Sequence, residues 1–222
     1  MTAVLAVFLK APRPGAVKTR LVPALGPDAA AHLYRALAER VLAATTPSGS
    51  EYERRLYFAP SEARAEMETW RPGEAWIPQA GADLGARMSS AFDAEFRRGA
   101  DRVALVGSDV PGLTRADVLS ALGSLEDHDL AVGPARDGGY YLIALARPRP
   151  ELFRGLAWGT SAVFAATMER AGGLGLTVRV LEERRDIDTP DDVRAAWASL
   201  RPLLTRGVAD AIENALGLAP PS

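Results

Sequence analysis

Leu9-Lys10-Ala11-Pro12-Arg13-Pro14-Gly15-Ala16-Val17-Lys18-Thr19-Arg20-Leu21 joins an apolar run to a helical pattern. Upstream, Val4 to Leu9 is β-branched and apolar without alternation, the signature of a strand covered on both faces. Downstream, a helix begins near Pro27, and from Asp28 to Ala44 apolar residues recur at helical spacing: Ala31, Tyr34, Leu37, Ala38, Val41 and Leu42. A loop with Lys10, Arg13, Lys18 and Arg20 thus lies where a first strand hands over to a first helix. In open α/β sheets this is where phosphate-bearing ligands bind. The chain has 26 lysines plus arginines, and Lys10 and Lys18 are its two lysines. A compact ammonium retained twice in one loop of an arginine-rich chain points to a point charge beside a phosphate, a role the planar guanidinium does not fill freely. Lys10, Gly15, Lys18 and Arg20 are therefore candidate nucleotide-binding residues, with a solvated basic loop as the plain alternative.

Working outward, the remaining elements alternate. Arg54–Ala59, Ala75–Ile77, Val103–Val106, Leu130–Ala135, Tyr140–Leu145 and Thr177–Leu181 read as strands. Helices are expected from Ser61, as N-cap, to Trp70, and from the Gln79–Arg87 segment through Phe92 and Phe96. Others run from Thr114 to Leu125, from Ser161 to Ala171, and in two C-terminal pieces split by Pro202. Thr114-Arg115-Ala116-Asp117 has capping-box spacing. Thr189-Pro190-Asp191-Asp192 has a cap, a first-turn proline and an acid three beyond the cap. Arg136-Asp137-Gly138-Gly139 between two apolar runs predicts a hairpin, where the sheet stops being purely parallel. The pattern is that of one α/β domain over 1–222, doubly wound, with a mixed edge able to support a homodimer as well as a monomer. The Ala219–Ser222 tail is expected to fray.

Composition narrows the function. A formal net charge of -2 gives no footprint for nucleic acid. No cysteine means no disulfide, thiolate metal site or cysteine nucleophile, and fits a cytoplasmic protein. No apolar run is long enough to span a membrane, and the N-terminus lacks the pattern of a signal peptide. His32 and His128 read as solvent-facing, and Trp70, Trp76, Trp158 and Trp197 as packing residues.

Asp109 ends the clearest strand, in Gly107-Ser108-Asp109-Val110-Pro111. A carboxylate there faces the crevice, and Mg²⁺ or Mn²⁺ takes one or two carboxylates plus phosphate oxygens. Asp186 and Asp188 both precede the cap Thr189, so helix-dipole compensation explains them less well than it explains Asp191 and Asp192. Asp188, ahead of Asp186, is the expected second metal ligand. In the hairpin, Arg136 is a candidate for a phosphate and Asp137 for a hydroxyl, with Gly138 and Gly139 exposing amides. Gln79, Asp83 and Gly85 are candidates to read a base or ribose; an ordinary helix start is the plain alternative.

Lys-Ala-Pro-x-Pro-Gly-x-Val-Lys-Thr-Arg-Leu, Asp-Leu-Gly-x-Arg-Met, Gly-Ser-Asp-x-Pro, Gly-Pro-Ala-x-Asp-Gly-Gly-Tyr-Tyr and Asp-Ile-Asp-Thr-Pro-x-Asp occur in this order from about Val4 to Val193. As a set they resemble the glycosyltransferase-A-like family tied to radical-SAM/selenodomain and arsenosugar-biosynthesis gene neighbourhoods. More remotely the chain is similar to the phospholactate and phosphoenolpyruvate guanylyltransferases. The resemblance implies a nucleotide-diphospho-sugar transferase fold: a Rossmann-like three-layer α/β/α domain with a mostly parallel mixed sheet. One departure matters: the Asp-x-Asp of glycosyltransferase-A enzymes is here Ser108-Asp109-Val110, with one carboxylate.

The first reading is a metal-dependent glycosyltransferase taking a nucleotide-sugar and a small-molecule acceptor. Lys18 and Asp109 act at the donor phosphates and Asp137 on the acceptor side, as a general base. The second is nucleotidyl transfer from an NTP to a small phosphorylated substrate, releasing pyrophosphate. A non-catalytic nucleotide-binding protein is the third.

Overall fold

The structure, a computed structural model, describes residues 2–219. The prolines and serine at 220–222, most of the expected frayed tail, lie outside the described residues. Seven strands form one sheet in the order β3-β2-β1-β4-β6-β5-β7. They are β1 (Ala3–Lys10), β2 (Glu53–Ala59), β3 (Trp76–Pro78), β4 (Arg102–Val106), β5 (Leu130–Pro134), β6 (Tyr140–Leu145) and β7 (Val178–Val180). The helices are α1 (Val22–Leu25), α2 (Pro27–Ala44), α3 (Arg64–Trp70), α4 (Leu84–Arg97), α5 (Arg115–Ser124), α6 (Val163–Gly173), α7 (Pro190–Leu200) and α8 (Arg206–Leu216).

β1 is buried from Val4 through Leu9, as its unbroken apolar run requires. Its side chains alternate between two cores. Leu5, Val7 and Leu9 pack with Tyr34 and Val41 of α2, Met67 of α3 and Val118 of α5. Val4, Ala6 and Phe8 pack on the other face with Met88 and Phe92 of α4, and with Phe153. A third core joins Leu33 and Leu37 of α2 to Trp197 of α7 and to Ile212 and Leu216 of α8. This is the three-layer α/β/α arrangement with a mostly parallel mixed sheet. Among the described residues no helix is long and apolar enough to cross a membrane.

The capping boxes at Thr114 and Thr189 are both formed. Ser61 makes no cap: it opens a short 3-10 turn, and α3 starts at Arg64 without a side-chain cap. The short helix α1, with Pro23 in its first turn, falls in a stretch that reads as loop. The larger correction concerns the edge. β6 is antiparallel to both β4 and β5 and lies between them, while β7 pairs parallel with β5 beyond. The hairpin therefore sits inside the sheet and offers no edge to a second copy. The sheet ends instead in β3 and β7, three residues each, short edges that resist pairing with another chain.

Candidate active site

β1 is flanked by β2 on one side and β4 on the other, so the winding reverses between β1 and β4. Loops leaving the carboxyl ends of these two strands diverge, and the crevice between them is the place for a ligand. A cleft of about 520 Å³ opens there, and its lining includes the cations Lys10, Lys18 and Arg20 and the carboxylates Asp109, Asp137, Asp186 and Asp188.

Lys18 is the centre of this arrangement. Its side chain is 4% exposed. Its Nζ donates to Asp109 Oδ2 at 3.0 Å and to Asp188 Oδ1 at 2.6 Å. Burial alone would lower the ammonium's pKa, but the charges of Asp109 and Asp188 outweigh it and hold the group well above the ordinary lysine range. Its backbone lies at φ 47°, left-handed for a residue with a Cβ, a conformation that persists where the surroundings over-determine it. For Asp109, burial would raise the carboxyl, but Lys18 overrides it and the pKa is lowered. Arg20 Nη1 approaches Asp188 Oδ2 at 3.5 Å. Thus the two carboxylates expected to share a metal share an ammonium instead.

The cation-seeking cluster lies one step over. One oxygen from each of Asp137, Asp186 and Asp188 falls within 4.8 Å of the others. Burial first, then the charges of Asp137 and Asp109, push the Asp186 carboxyl up to about 6. Among the described residues no lysine or arginine pairs with Asp186. A buried carboxylate facing other carboxylates without a counter-ion fits a hard divalent cation with oxygen ligands. Asp137 already accepts a hydrogen bond from Gly139 N at 2.8 Å on Oδ1, which fixes its rotamer inside the hairpin.

Several other candidates stand elsewhere. Arg136 is exposed and pairs with Glu183 at 3.3 Å, outside the cleft lining. Arg13 is drawn off the basic loop by Glu66 of α3 at 2.5 Å. Gly15 turns at φ 77° in open space. Asp83 caps α4 by accepting from Ala86 N at 2.8 Å. Gly85 is buried where a Cβ would stand 2.5 Å from Trp158 Nε1 and 2.6 Å from the Phe153 carbonyl oxygen, so its place is one of packing. Gly138, at φ 87°, is likewise pressed against the Ser161 backbone. Gln79 does line the cleft, with Nε2 donating to Leu9 O at 3.1 Å and Tyr57 O at 3.2 Å. Gly139 lines it as well.

Sequence reasoning passed over others that reach the cleft. Trp158 is half-buried at the cleft wall, edge-on to Tyr140 with centroids 6.3 Å apart. Arg87 and Thr160 line it too. Tyr34, placed by periodicity in the helix core, also carries a hydroxyl that touches the end of β1 and the loop that follows β4. Nothing local marks these residues; the Tyr-Tyr pair after the hairpin and the Trp158-Gly159-Thr160 break before α6 were the available hints.

Comparison with known proteins adds the relations of the whole chain. The family described as "Uncharacterized protein conserved in bacteria (DUF2064)" matches residues 41–160. A phosphoenolpyruvate guanylyltransferase of Chloroflexus aggregans is 28% identical over 193 residues, 83% of this chain and 93% of that one. Another phosphoenolpyruvate guanylyltransferase, of Sphaerobacter thermophilus, is 27% identical over 179 residues, 79% of this chain and 84% of that one. A crystal structure from Desulfovibrio desulfuricans G20, named after the nucleotide-diphospho-sugar transferases, superposes with a TM-score of 0.85 and 34% identity over 97% of each chain. With over half its length matched to the family and a near end-to-end structural relative, the chain belongs to the DUF2064 family.

Proposed function

We propose that this transferase moves a nucleotidyl group from a nucleoside triphosphate to the phosphate of a small acid and releases pyrophosphate. The observation that carries the reading is that the strand-end carboxylate is already neutralised. In the glycosyl reading Asp109 must be the free carboxylate that holds a metal on the donor diphosphate, whereas here Lys18 binds it at 3.0 Å. Among the described residues the carboxylates without a cationic partner are Asp137 and Asp186, and they cluster within 4.8 Å of Asp188, which Lys18 and Arg20 contact at 2.6 and 3.5 Å. The two guanylyltransferase relatives, aligned over most of their length, support the same choice.

The chemistry then distributes as follows. An oxygen of the acceptor phosphate attacks the α-phosphorus, a new P–O bond forms, and the bond to the α–β bridging oxygen breaks with its electron pair leaving on pyrophosphate. A phosphate nucleophile is already anionic and needs no proton removed. Asp137 is therefore assigned to cation binding instead of general base catalysis. Asp137, Asp186 and Asp188 would hold a divalent ion, Mg²⁺ or Mn²⁺, which when bound offsets charge on phosphoryl oxygens. Lys18 spends two of its three N–H bonds on Asp109 and Asp188 and keeps one for a phosphoryl oxygen. Lys10 and Arg20, which also line the cleft, supply further charge as pyrophosphate departs.

The test is a product assay with each NTP, and separately each nucleotide-sugar, in the presence of Mg²⁺ or Mn²⁺ and phosphoenolpyruvate or phospholactate. Pyrophosphate formed from one NTP and one acid, falling at least about 100-fold in Lys18→Ala, is the expected result. Release of a nucleoside diphosphate from a nucleotide-sugar would restore glycosyl transfer.

A further inference from the structure

A chain of hydroxyl groups crosses the switch point under the cleft. Tyr34 of α2 is 4% exposed, and its phenol oxygen accepts the Lys10 backbone N–H at 2.7 Å. The same oxygen lies 3.0 Å from Ser108 Oγ. Distance alone leaves the donor of that second bond open, but proton counting closes it. A backbone N–H only donates, so toward Lys10 the phenol oxygen is an acceptor. Its own proton then has one acceptor within reach among the described residues, Ser108 Oγ. A buried hydroxyl left without an acceptor is unfavourable enough that native structures rarely contain one. Burial also pushes the Tyr34 phenol up, so that proton is present. The bond therefore runs from Tyr34 to Ser108.

This leaves Ser108 with a proton of its own to place. Ser108 is 6% exposed, lines the cleft and precedes Asp109. Among the described residues its side chain has no hydrogen-bond partner other than Tyr34. Its free donor must point where the protein supplies no acceptor, into the cleft. We propose that Ser108 is a ligand-binding hydroxyl that donates to a phosphoryl oxygen beside Asp109, with Tyr34 the positioning residue that fixes it as a donor. That the acceptor is phosphoryl rests on the nucleotidyl-transfer reading; the direction of the proton rests on the network alone. The arrangement puts a neutral donor in the same cleft as the Lys18 ammonium, one residue before the Asp109 that Lys18 contacts. Hydrogen bonds to charged oxygens are the stronger kind, and a neutral donor supplies one without adding charge to the cleft.

Calorimetric titration with pyrophosphate, GTP and phosphoenolpyruvate, each with Mg²⁺, tests this on wild type, Ser108→Ala, Tyr34→Phe and the double variant. Ser108→Ala is expected to bind about 10-fold more weakly, and Tyr34→Phe to lose less, because its serine keeps a proton but not its direction. The double variant should match Ser108→Ala. Loss confined to GTP and pyrophosphate would put the bond on the nucleotide, and loss confined to phosphoenolpyruvate on the acceptor; either supports the proposal. A cooperatively melting Ser108→Ala that binds all three probes as tightly as wild type would refute it. So would a double variant with wild-type affinity, since the serine would then serve only to satisfy Tyr34. If Ser108→Ala does not fold, Ser108→Cys, of similar size and with a weaker donor, is read in its place by the same criteria. A wild type that binds none of the probes sinks the nucleotidyl reading and this inference together. One that binds them while Ser108→Ala binds equally well sinks this inference alone.

Discussion

Lys18 is a cation that two carboxylates hold in place, and its removal exposes what they cost each other. With Lys18→Ala, Asp109, Asp186 and Asp188 face one another with, among the described residues, only the exposed Arg20, 3.5 Å from Asp188, to offset them at contact. Stripping one partner from a fully buried pair costs about 3–5 kcal/mol. Asp109 and Asp188 are 38% and 31% exposed, so solvent screening reduces the expected loss to about 2 kcal/mol. Urea denaturation at pH 7.5 would measure it. The loss should shrink on acidification, because protonated carboxyls no longer repel. Asp186 carries the opposite sign. Its folded pKa, about 6, stands above the unfolded value near 3.8, so the native state binds the extra proton between those limits. Stability from this group therefore falls as pH rises from about 4 to 6, and remains lowered above. Asp186→Asn should raise the metal-free stability by about 1–2 kcal/mol at pH 7.5 and leave it unchanged at pH 3.5. Millimolar Mg²⁺ should raise the melting midpoint of wild type at pH 7.5 and do much less for Asp186→Asn, as ligand linkage requires. An Asp186→Asn protein that is less stable than wild type without metal would show that the carboxylate has an unrecognised partner.

Elements were legible where the signal is local. The unbroken apolar run of β1, the Asp-Gly hairpin and the boxes at Thr114 and Thr189 depend on residues within a few positions of one another, and each is present in the fold. Thr189→Ala should cost about 1 kcal/mol, read as a shift in the denaturation midpoint, because Asp192 loses its reciprocal partner. What was not legible is what depends on distant neighbours. That β6 inserts between β4 and β5 is a fact of strand order, invisible to periodicity. So is the meeting of Asp137 with Asp186 and Asp188, which come from two different loops, and the role of Trp158, whose seat is made by a glycine more than 70 positions earlier. Gly85 looked like a nucleotide contact because glycine-rich helix starts so often are; here the space it leaves is filled by an indole. Gly85→Ala should destabilise by about 1–3 kcal/mol, since the Phe153 carbonyl is backbone and cannot swing away. It should also weaken ligand binding by displacing Trp158. A thermal melt and a titration on the same variant separate the two effects.

On the scale of the whole molecule, the site is drawn from the full length of the sheet and not from one lobe. Lys10 ends β1 and Lys18 follows it, Asp109 follows β4, Asp137 follows β5, and Asp186 and Asp188 follow β7. The last of these are anchored by Ile187, which is fully buried and whose N–H donates to the Asp109 carbonyl at 3.2 Å. α7 and α8 then close over Leu33 and Leu37 of α2. Deleting residues from 206 onward should uncover that third core, binding a hydrophobic dye and losing a cooperative melt, even though no cleft residue is removed.

The place of β6 between β4 and β5 has a consequence for how the chain comes off the ribosome. β1 to β4 emerge in an order that lets each strand dock on one already present: β2 on β1, β3 on β2, β4 on β1. β5 cannot follow suit, because its neighbours are β6 and β7, neither yet made. It must wait, unpaired and apolar, until Tyr140–Leu145 has been synthesised and the hairpin can slide in as a unit against β4. An exposed strand in that interval is where a slow step or a wrong pairing would strike. The acidic cluster waits longer still, for residue 188, so under the proposed function a nascent chain would hold its lysines ready for a phosphate well before it could grip a cation.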